Sequence, residues 1–354
     1  MLFLTGREIE AWNRWGREAV EGSLAPGEVP PGVRAPLRPV FCFFAGTMLT
    51  ARGQRDAGRG WLLAGTREET AGLMTNALVT AFLERHGGRL VKPAVVFADP
   101  APYLHFIGVP PMQRAREQFR AFAARSLPRF DHPLHFLDIG CGDGDLTVTV
   151  LRRLQMEGNA ASVGEVALVD SSKAMLDMAE GKVREAFPGC SVRTFHDRIQ
   201  NVAGQVGEGY DVAVCSLSYH HMPRETKLAH LGELSGRLDH LLLFELGADN
   251  DTPEMHSPEL AMAVYQSYGR IIDFIFAHDT DIRTAQESVD CFLMVEAVSF
   301  LTQPRGERSD YHMLRGQWHE AFQMGLGPAY RCLGDTTCHA DEHLDLFALH
   351  YGRG

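Results

Sequence analysis

Three glycines at alternate positions, Gly140, Gly142 and Gly144, follow an apolar run that ends in an acid, Asp138, in the stretch LHFLDIGCGDGDLT. Glycine at this spacing lets a backbone take positive φ and come within contact distance of a ligand, and Asp145 to Met156 then resumes helical spacing. The chemistry this suits is cradling of a ligand by a strand, a tight turn and a helix. Further along, the run Ser216, Leu217, Ser218, Tyr219, His220, His221 places two imidazoles just beyond another apolar segment. A neutral imidazole near pH 7 can take a proton from an acceptor atom, so His220 and His221 are the candidate catalytic bases. Glu245 sits within a later apolar run and is either a buried, hydrogen-bonded acid or a substrate contact.

The spacing separates several nucleotide-type sites. A dinucleotide fingerprint wants a third glycine where this chain has Asp145, and a phosphate-binding P-loop ends in Gly-Lys-Ser/Thr where this loop offers Asp143 and Asp145. What remains, acid-x-Gly-x-Gly-x-Gly, resembles motif I of the class I, Rossmann-like S-adenosylmethionine-dependent methyltransferases. Their cofactor carries a sulfonium cation and an amino acid but no phosphate, and an acidic, glycine-lined pocket fits it. The competing readings are an ordinary glycine-rich turn and a nicotinamide site with a degenerate third glycine. Downstream spacing counts against both. A second apolar run, Glu165 to Val169, ends in Asp170, where this topology hydrogen-bonds ribose hydroxyls. A third, Ser191 to Phe195, is followed by His196 and Asp197, where the resemblance implies an acid facing the adenine amino group. A fourth, Asp211 to Cys215, leads into the histidine pair, which looks like the family's "LHH" segment, and a fifth runs from His240 to Leu246.

The resemblance implies S-adenosylmethionine as cofactor, with Asp138 and the backbone from Gly140 to Gly144 at its amino-acid end, Asp170 on the ribose and Asp197 at the adenine. Cys141, Ser171, Arg198 and Ser216 flank these positions and are expected to touch it as well. Methyl transfer from a sulfonium requires no metal, and none is assigned. Cys332, Cys338, His339 and His343 could be read as ligands, with His220, but their spacing matches no recognised zinc pattern.

Short, nearly continuous apolar strands alternating with helices predict a parallel sheet covered on both faces. After a helix at Tyr311 to Met324, the runs Tyr330 to Leu333 and His343 to Tyr351 resemble the antiparallel pair with which the family closes its sheet. The polar stretch Asp335 to Glu342 between them is then expected as a loop at the sheet's carboxyl edge. That would bring Cys338 and His339 toward a substrate, together with Tyr103, Tyr219 and Glu245. The expected fold class is α/β: a seven-stranded Rossmann-like methyltransferase sheet, six strands parallel and one antiparallel, with a mainly helical N-terminal domain and a helical lid. The expected boundaries are residues 1–111 for the N-terminal domain and 112–354 for the methyltransferase domain, with the lid inserted at about 251–310.

In the N-terminal part, residues 6 to 22 carry Ile9, Trp12 and Trp15 along one helical side, and a proline-rich connector spans Pro26 to Pro39. Helical stretches follow at Phe41 to Arg52, Arg55 to Ala64 and Thr66 to His86, the last opening on Thr66 and Glu69 as a capping box. Leu90 to Phe97 reads as an edge strand interrupted by Pro93. The aromatic segment Tyr103 to Phe106 either folds over a ligand or packs an interdomain core, the second being the plainer reading. In the insertion, Ala261, Val264, Tyr265, Tyr268, Ile271, Ile272 and Ile275 recur at helical spacing. A lid favours a small-molecule acceptor.

At 354 residues the net charge is −11 with the 34 Lys and Arg scattered, so no footprint for a phosphate backbone exists and nucleic acid is disfavoured. The seven cysteines lack paired short spacings, which fits a reducing cytoplasm, and no long apolar run suggests a membrane. The expected function is methyl transfer to a small acceptor at an unresolved O, N, S or C atom. A carrier protein or peptide as acceptor, and a non-catalytic methyltransferase-like binding protein, are the alternatives, and a homodimer is compatible with the sequence.

Overall fold

Thr5 and Glu8 start the first helix: Thr5 Oγ1 accepts from the Glu8 N–H, the Glu8 carboxylate accepts from the Thr5 N–H at 2.7 Å, and Gly22 at φ 78° closes the far end. The computed structural model describes residues 2–70, 72–93, 101–202, 204–278 and 281–354. In it this helix is α1 (Gly6–Glu21), followed by α2 (Arg38–Ala51), α3 (Arg55–Glu68) and α4 (Thr75–Arg85). Trp12 packs edge-on to Phe41 at 5.1 Å, and α2 is apolar around most of its circumference and buried accordingly. A Cβ on Gly58 of α3 would stand 2.3 Å from Thr50 Oγ1 and 2.8 Å from the Gly46 carbonyl of α2, so glycine is what allows this helix pair to close.

The helix expected to begin at Thr66 does not begin there. α3 runs through Glu68, and the Thr66 hydroxyl bonds back to the Leu62 carbonyl inside it. Glu69 caps at a distance instead, its carboxylate accepting from the N–H groups of Asn76 and Ala77 at the start of α4. A capping box is a local pattern, and here the acid found donors seven residues away. The strand expected at Leu90 to Phe97 is not formed over Leu90 to Pro93, and Ala94 to Phe97 lie outside the described residues.

Two helices, α5 (Ala101–Gly108) and α6 (Pro110–Ser126), lead into β1 (Leu134–Ile139), α7 (Asp145–Met156), β2 (Val163–Asp170), α8 (Lys173–Ala186), β3 (Ser191–His196), β4 (Tyr210–Ser216), α9 (Arg224–Leu234) and β5 (Leu238–Leu246). The insertion forms α10 (Pro258–Ala277), α11 (Ile282–Ser288), a π-helical turn at Val289–Leu293 and α12 (Met294–Thr302). The chain ends with α13 (Arg315–Leu326), β6 (Tyr330–Ala340) and β7 (Asp345–Arg353). The seven strands form one sheet in the order β3-β2-β1-β4-β5-β7-β6, with β7 antiparallel to both neighbours and the others parallel. The order reverses between β1 and β4, and in such sheets ligands bind outside the carboxyl ends at that point.

Most of the polar stretch expected as a loop, Asp335 to Ala340, is strand. Thr336, Thr337 and Cys338 continue β6 against β7 through register shifts at Cys332/Gly334 and Thr337/His339, leaving a turn in which Asp341 Oδ1 accepts from the N–H groups of His343 and Leu344. Tyr311 to Leu314 are likewise outside the helix expected there, because Met313 bridges to Gly247 beside the sheet.

The helical cover is joined across sequence. Phe43 of α2 meets Tyr265 of α10 at 5.6 Å, the Thr75 hydroxyl donates to the Tyr265 carbonyl, and a Cβ on Gly269 would stand 2.0 Å from Thr75 Oγ1. N-terminal helices and insertion thus share one core with the upper face of the sheet. Among the described residues, no helix is long and apolar enough to cross a membrane.

Candidate active site

The glycine loop is fixed first by its backbone: Gly140 and Cys141 donate their N–H groups to the Val169 carbonyl at 2.8 and 3.0 Å, tying the end of β1 to the end of β2. The three glycines have φ of 76°, 54° and 76°, yet their missing side chains serve different ends. A Cβ on Gly140 would stand 2.3 Å from Ser218 Cβ, and one on Gly144 would stand 2.6 Å from the Ala179 backbone of α8, so those two are small because the protein packs on itself there. Gly142 answers to a different element: its Cβ would meet the Tyr103 hydroxyl of α5 at 2.7 Å. Tyr103 in turn presents its ring edge to Phe292 of the π-helical turn at 6.4 Å, so α5 bridges loop and lid.

The loop's acids do not all remain available to a cation. Asp143 is ion-paired with Lys182 and Asp145 with Arg116, the latter at 2.9 Å. The acidic pocket expected from the sequence therefore reduces to Asp138 and Asp170. Asp138 is buried, takes the Thr147 hydroxyl on Oδ2 at 2.5 Å, and has no partner for Oδ1 among the described residues. Burial pushes its carboxyl up to about 7. Asp170 accepts from the N–H groups of Gly142 and Ser172 at 2.9 and 2.8 Å, with burial raising its pKa against these bonds. Arg116, missed in the sequence, is 4% exposed and its Nε also lacks a partner among the described residues. The signal was present: it is the one charge on the buried stripe Met112, Ala115, Arg116, Phe119 of α6. An unanswered acceptor, an unanswered donor and a cradle over Gly142 fit the amino-acid end of the expected cofactor.

The other expected cofactor contacts are spread around this point. Cys141 is buried, its thiol directed at the Gly142 carbonyl and its pKa raised by burial. The Ser171 carbonyl lies 3.2 Å from His196 Nε2, and Ser216 ends β4. Asp197 caps the turn after β3, its Oδ1 accepting from Arg198 N–H and Asn201 Nδ2 while Arg198 itself is exposed.

Beyond β4 the chain turns through Leu217 at φ 48°, an uncommon conformation for leucine, and three residues are then gathered by Glu245 at the tip of β5. Fully buried, Glu245 accepts from Ser218 N–H and Tyr219 N–H at 3.1 Å each and lies 3.0 Å from His220 Nδ1. It is the buried, hydrogen-bonded acid of the two readings. Burial alone would raise its pKa, but the His220 contact, with His312 and Lys227 close by, holds it down at about 2. His220 stacks on His312 with centroids 4.2 Å apart, and burial lowers its pKa. His221, whose side chain is 41% exposed, pairs with Asp310 at 2.6 Å. Desolvation opposes the charged ring, but Asp310 outweighs it and lifts His221 to about 9. The two expected bases are therefore shifted in opposite directions, His220 down by burial and His221 up by Asp310. His312 completes the group, 3.7 Å from Glu296, to which Tyr268 also donates. Ser218, whose N–H donates to Glu245, packs directly against Gly140, so this cluster adjoins the glycine-loop site.

Three expected substrate contacts do not join it. Tyr219 is buried under the sheet among Trp318 and its neighbours, with its hydroxyl 2.7 Å from His230 Nδ1. Cys338 and His339 lie on β6 at the far edge, the imidazole beside Phe274 and 3.5 Å from Asp341. His343 lines a small cavity of about 170 Å³ between residues 2–4 and α10.

Comparison with known proteins agrees with this reading. Residues 136–239 match a family model described as "Methyltransferase domain". No curated protein matches the chain. Solved structures similar to it include magnesium protoporphyrin IX methyltransferase from Synechocystis PCC 6803 with bound SAH, at 14% identity and TM-score 0.40, covering 78% of this chain and 99% of that one. Another is an S-adenosylmethionine-dependent methyltransferase from Clostridium acetobutylicum ATCC 824, at 13% identity and TM-score 0.41, covering 68% and 92%. A third is the cyclopropane synthase MmaA2 from Mycobacterium tuberculosis, at 11% identity and TM-score 0.41, covering 66% and 82%. At this level of similarity the fold argument rests on the strand order and the loop of the chain itself. By the family match residues 136–239 are a methyltransferase domain, and the strand order of the chain's own sheet is Rossmann-like.

Proposed function

We propose that the protein transfers a methyl group from S-adenosylmethionine to a small-molecule acceptor enclosed between the histidine cluster and the helical cover. The observation that supports this most is the adjacency of two half-sites on one sheet edge: the loop under Tyr103 with its unanswered Asp138 Oδ1, and the cluster around His220 and His221. The bound cofactor supplies an electrophilic methyl on a sulfonium that leaves as a neutral thioether. The residues align and exclude water, a contribution worth roughly 7 to 11 kcal/mol in well-oriented systems. Asp138, Arg116 and the backbone from Gly140 to Gly144 hold the amino-acid end, Asp170 the ribose and Asp197 the adenine. The residues of the cover, 1–111 and about 251–310, delimit the acceptor.

Titration of the purified chain with S-adenosylhomocysteine by calorimetry tests the reading. Asp170→Ala, which removes charged hydrogen bonds of about 1.5 to 3 kcal/mol, should weaken binding roughly 10- to 150-fold. Unchanged affinity in this variant removes Asp170 from the site. Failure of the wild-type chain to bind, with binding of NAD or ATP instead, overturns the function.

A further inference from the structure

One imidazole nitrogen each of His220 and His221 and one carboxylate oxygen of Asp310 lie within 4.8 Å of one another. Two imidazoles and a carboxylate are the donor set of an open zinc-type site, which keeps one further position for water or substrate. The surroundings match that use in three respects. His220 Nδ1 faces Glu245 at 3.0 Å, the carboxylate–histidine contact that fixes the ring and turns its other nitrogen toward a metal. Asp310 is 1% exposed, and its Oδ2 has no hydrogen-bond partner among the described residues. His221 remains partly exposed, so the group is not sealed from solvent. The neighbouring His312 is also buried with Nδ1 unanswered, stacked on His220 where it can support the ring.

We infer that His220, His221 and Asp310 bind a divalent cation of the zinc type, which in turn ligates the acceptor. The inference rests on the proposal that this edge receives the acceptor. It narrows the acceptor to a molecule with a hydroxyl or thiol that can coordinate the ion. Coordination lowers the pKa of that group, its proton leaves to solvent, and the resulting anion attacks. The new bond joins oxygen or sulfur to the methyl carbon while the carbon–sulfonium bond breaks and its electron pair returns to sulfur. No oxidant or reductant is involved.

The test uses the full chain, stripped with a chelator and titrated with zinc chloride alone by calorimetry, and with cobalt(II) followed by visible absorption. The expected result is one saturable ion per chain with a cobalt spectrum of low coordination number. His221→Ala and Asp310→Asn should each weaken zinc by more than roughly 100-fold, the upper end for loss of even an orienting partner. His343→Gln, away from the cluster, should leave it unchanged. Melting curves of the metal-free variants, together with S-adenosylhomocysteine binding, establish that each is folded. Weak, unsaturable binding by the wild type, or full binding by both ligand variants, overturns the metal site. A wild type that binds S-adenosylhomocysteine but fails to bind zinc overturns this inference alone, whereas one that binds zinc but fails to bind S-adenosylhomocysteine overturns the transferase reading and leaves the ion site standing.

Discussion

At the amino end of the sheet, His240 of β5 and His350 of β7 sit side by side, Nδ1 to Nε2 at 3.0 Å, with His350 fully buried. At the carboxyl end, His220, His221 and His312 each lie within 4.0 Å of a carboxylate, from Glu245, Asp310 and Glu296 respectively. The same side chain is used in two ways. The amino-end pair is lowered in pKa chiefly by burial and behaves as a neutral filler of core volume. The carboxyl-end group carries buried charge, an αL leucine and a glycine loop, the features whose cost is tolerated where a ligand must be held. What distinguishes the two groups is therefore the partner, a carboxylate for one and a second imidazole for the other, which one-dimensional sequence does not display.

The largest effect should come from Glu245→Leu, which strands the Ser218 and Tyr219 amides and the His220 ring without their acceptor. The expected loss is about 3 to 5 kcal/mol, as when one member of a buried pair is removed, read from urea denaturation. Replacing His240 and His350 together by leucine should be nearly neutral, since no buried charge is left behind. A small loss at Glu245, or a large one at the pair, breaks the contrast.

The pH dependence separates the two ends at the next level. His350 has its pKa lowered from 6.5 to about 3, first by burial and then by His240. As pH falls below 6.5 the unfolded chain takes up this proton before the folded one, so stability is lost down to about pH 3. One group contributes at most about 1.4 kcal/mol per pH unit. His350→Gln should therefore lose less stability than the wild type between pH 6.5 and 4, and parallel curves would show that His350 titrates normally.

The smallest expected effect concerns the loop. Gly142→Ala places a Cβ in the left-handed region at a cost of roughly 1 to 2 kcal/mol and against the Tyr103 hydroxyl. Adding Tyr103→Phe should recover part of the loss, and strict additivity in the double-mutant cycle would mean that the contact is not felt.

The apolar runs of β1, β2, β4 and β5 were legible because a strand covered on both faces leaves no other composition. The loop was legible because its spacing is local, although each glycine turned out to answer to a different neighbour, Ser218, Tyr103 and Ala179. Glu69 and the stretch from Asp335 to Glu342 were misread because each is decided by partners distant along the chain, the start of α4 for one and β7 for the other. Asp310, His312 and Glu296 could not be read at all, since they reach His220 and His221 only after the insertion folds back over β4 and β5. Arg116 belongs between these cases: its buried stripe is visible, its companion Asp145 is not.

The fastening of α10 to α2 and α4, through Phe43, Thr75, Tyr265 and Gly269, bears on how relatives of this chain could diverge. Two stretches separated by the entire nucleotide-binding half behave as a single exchangeable part. A graft that carried one of them into another chain of this fold without the other would arrive with a bare apolar flank, so recombination must move both at once.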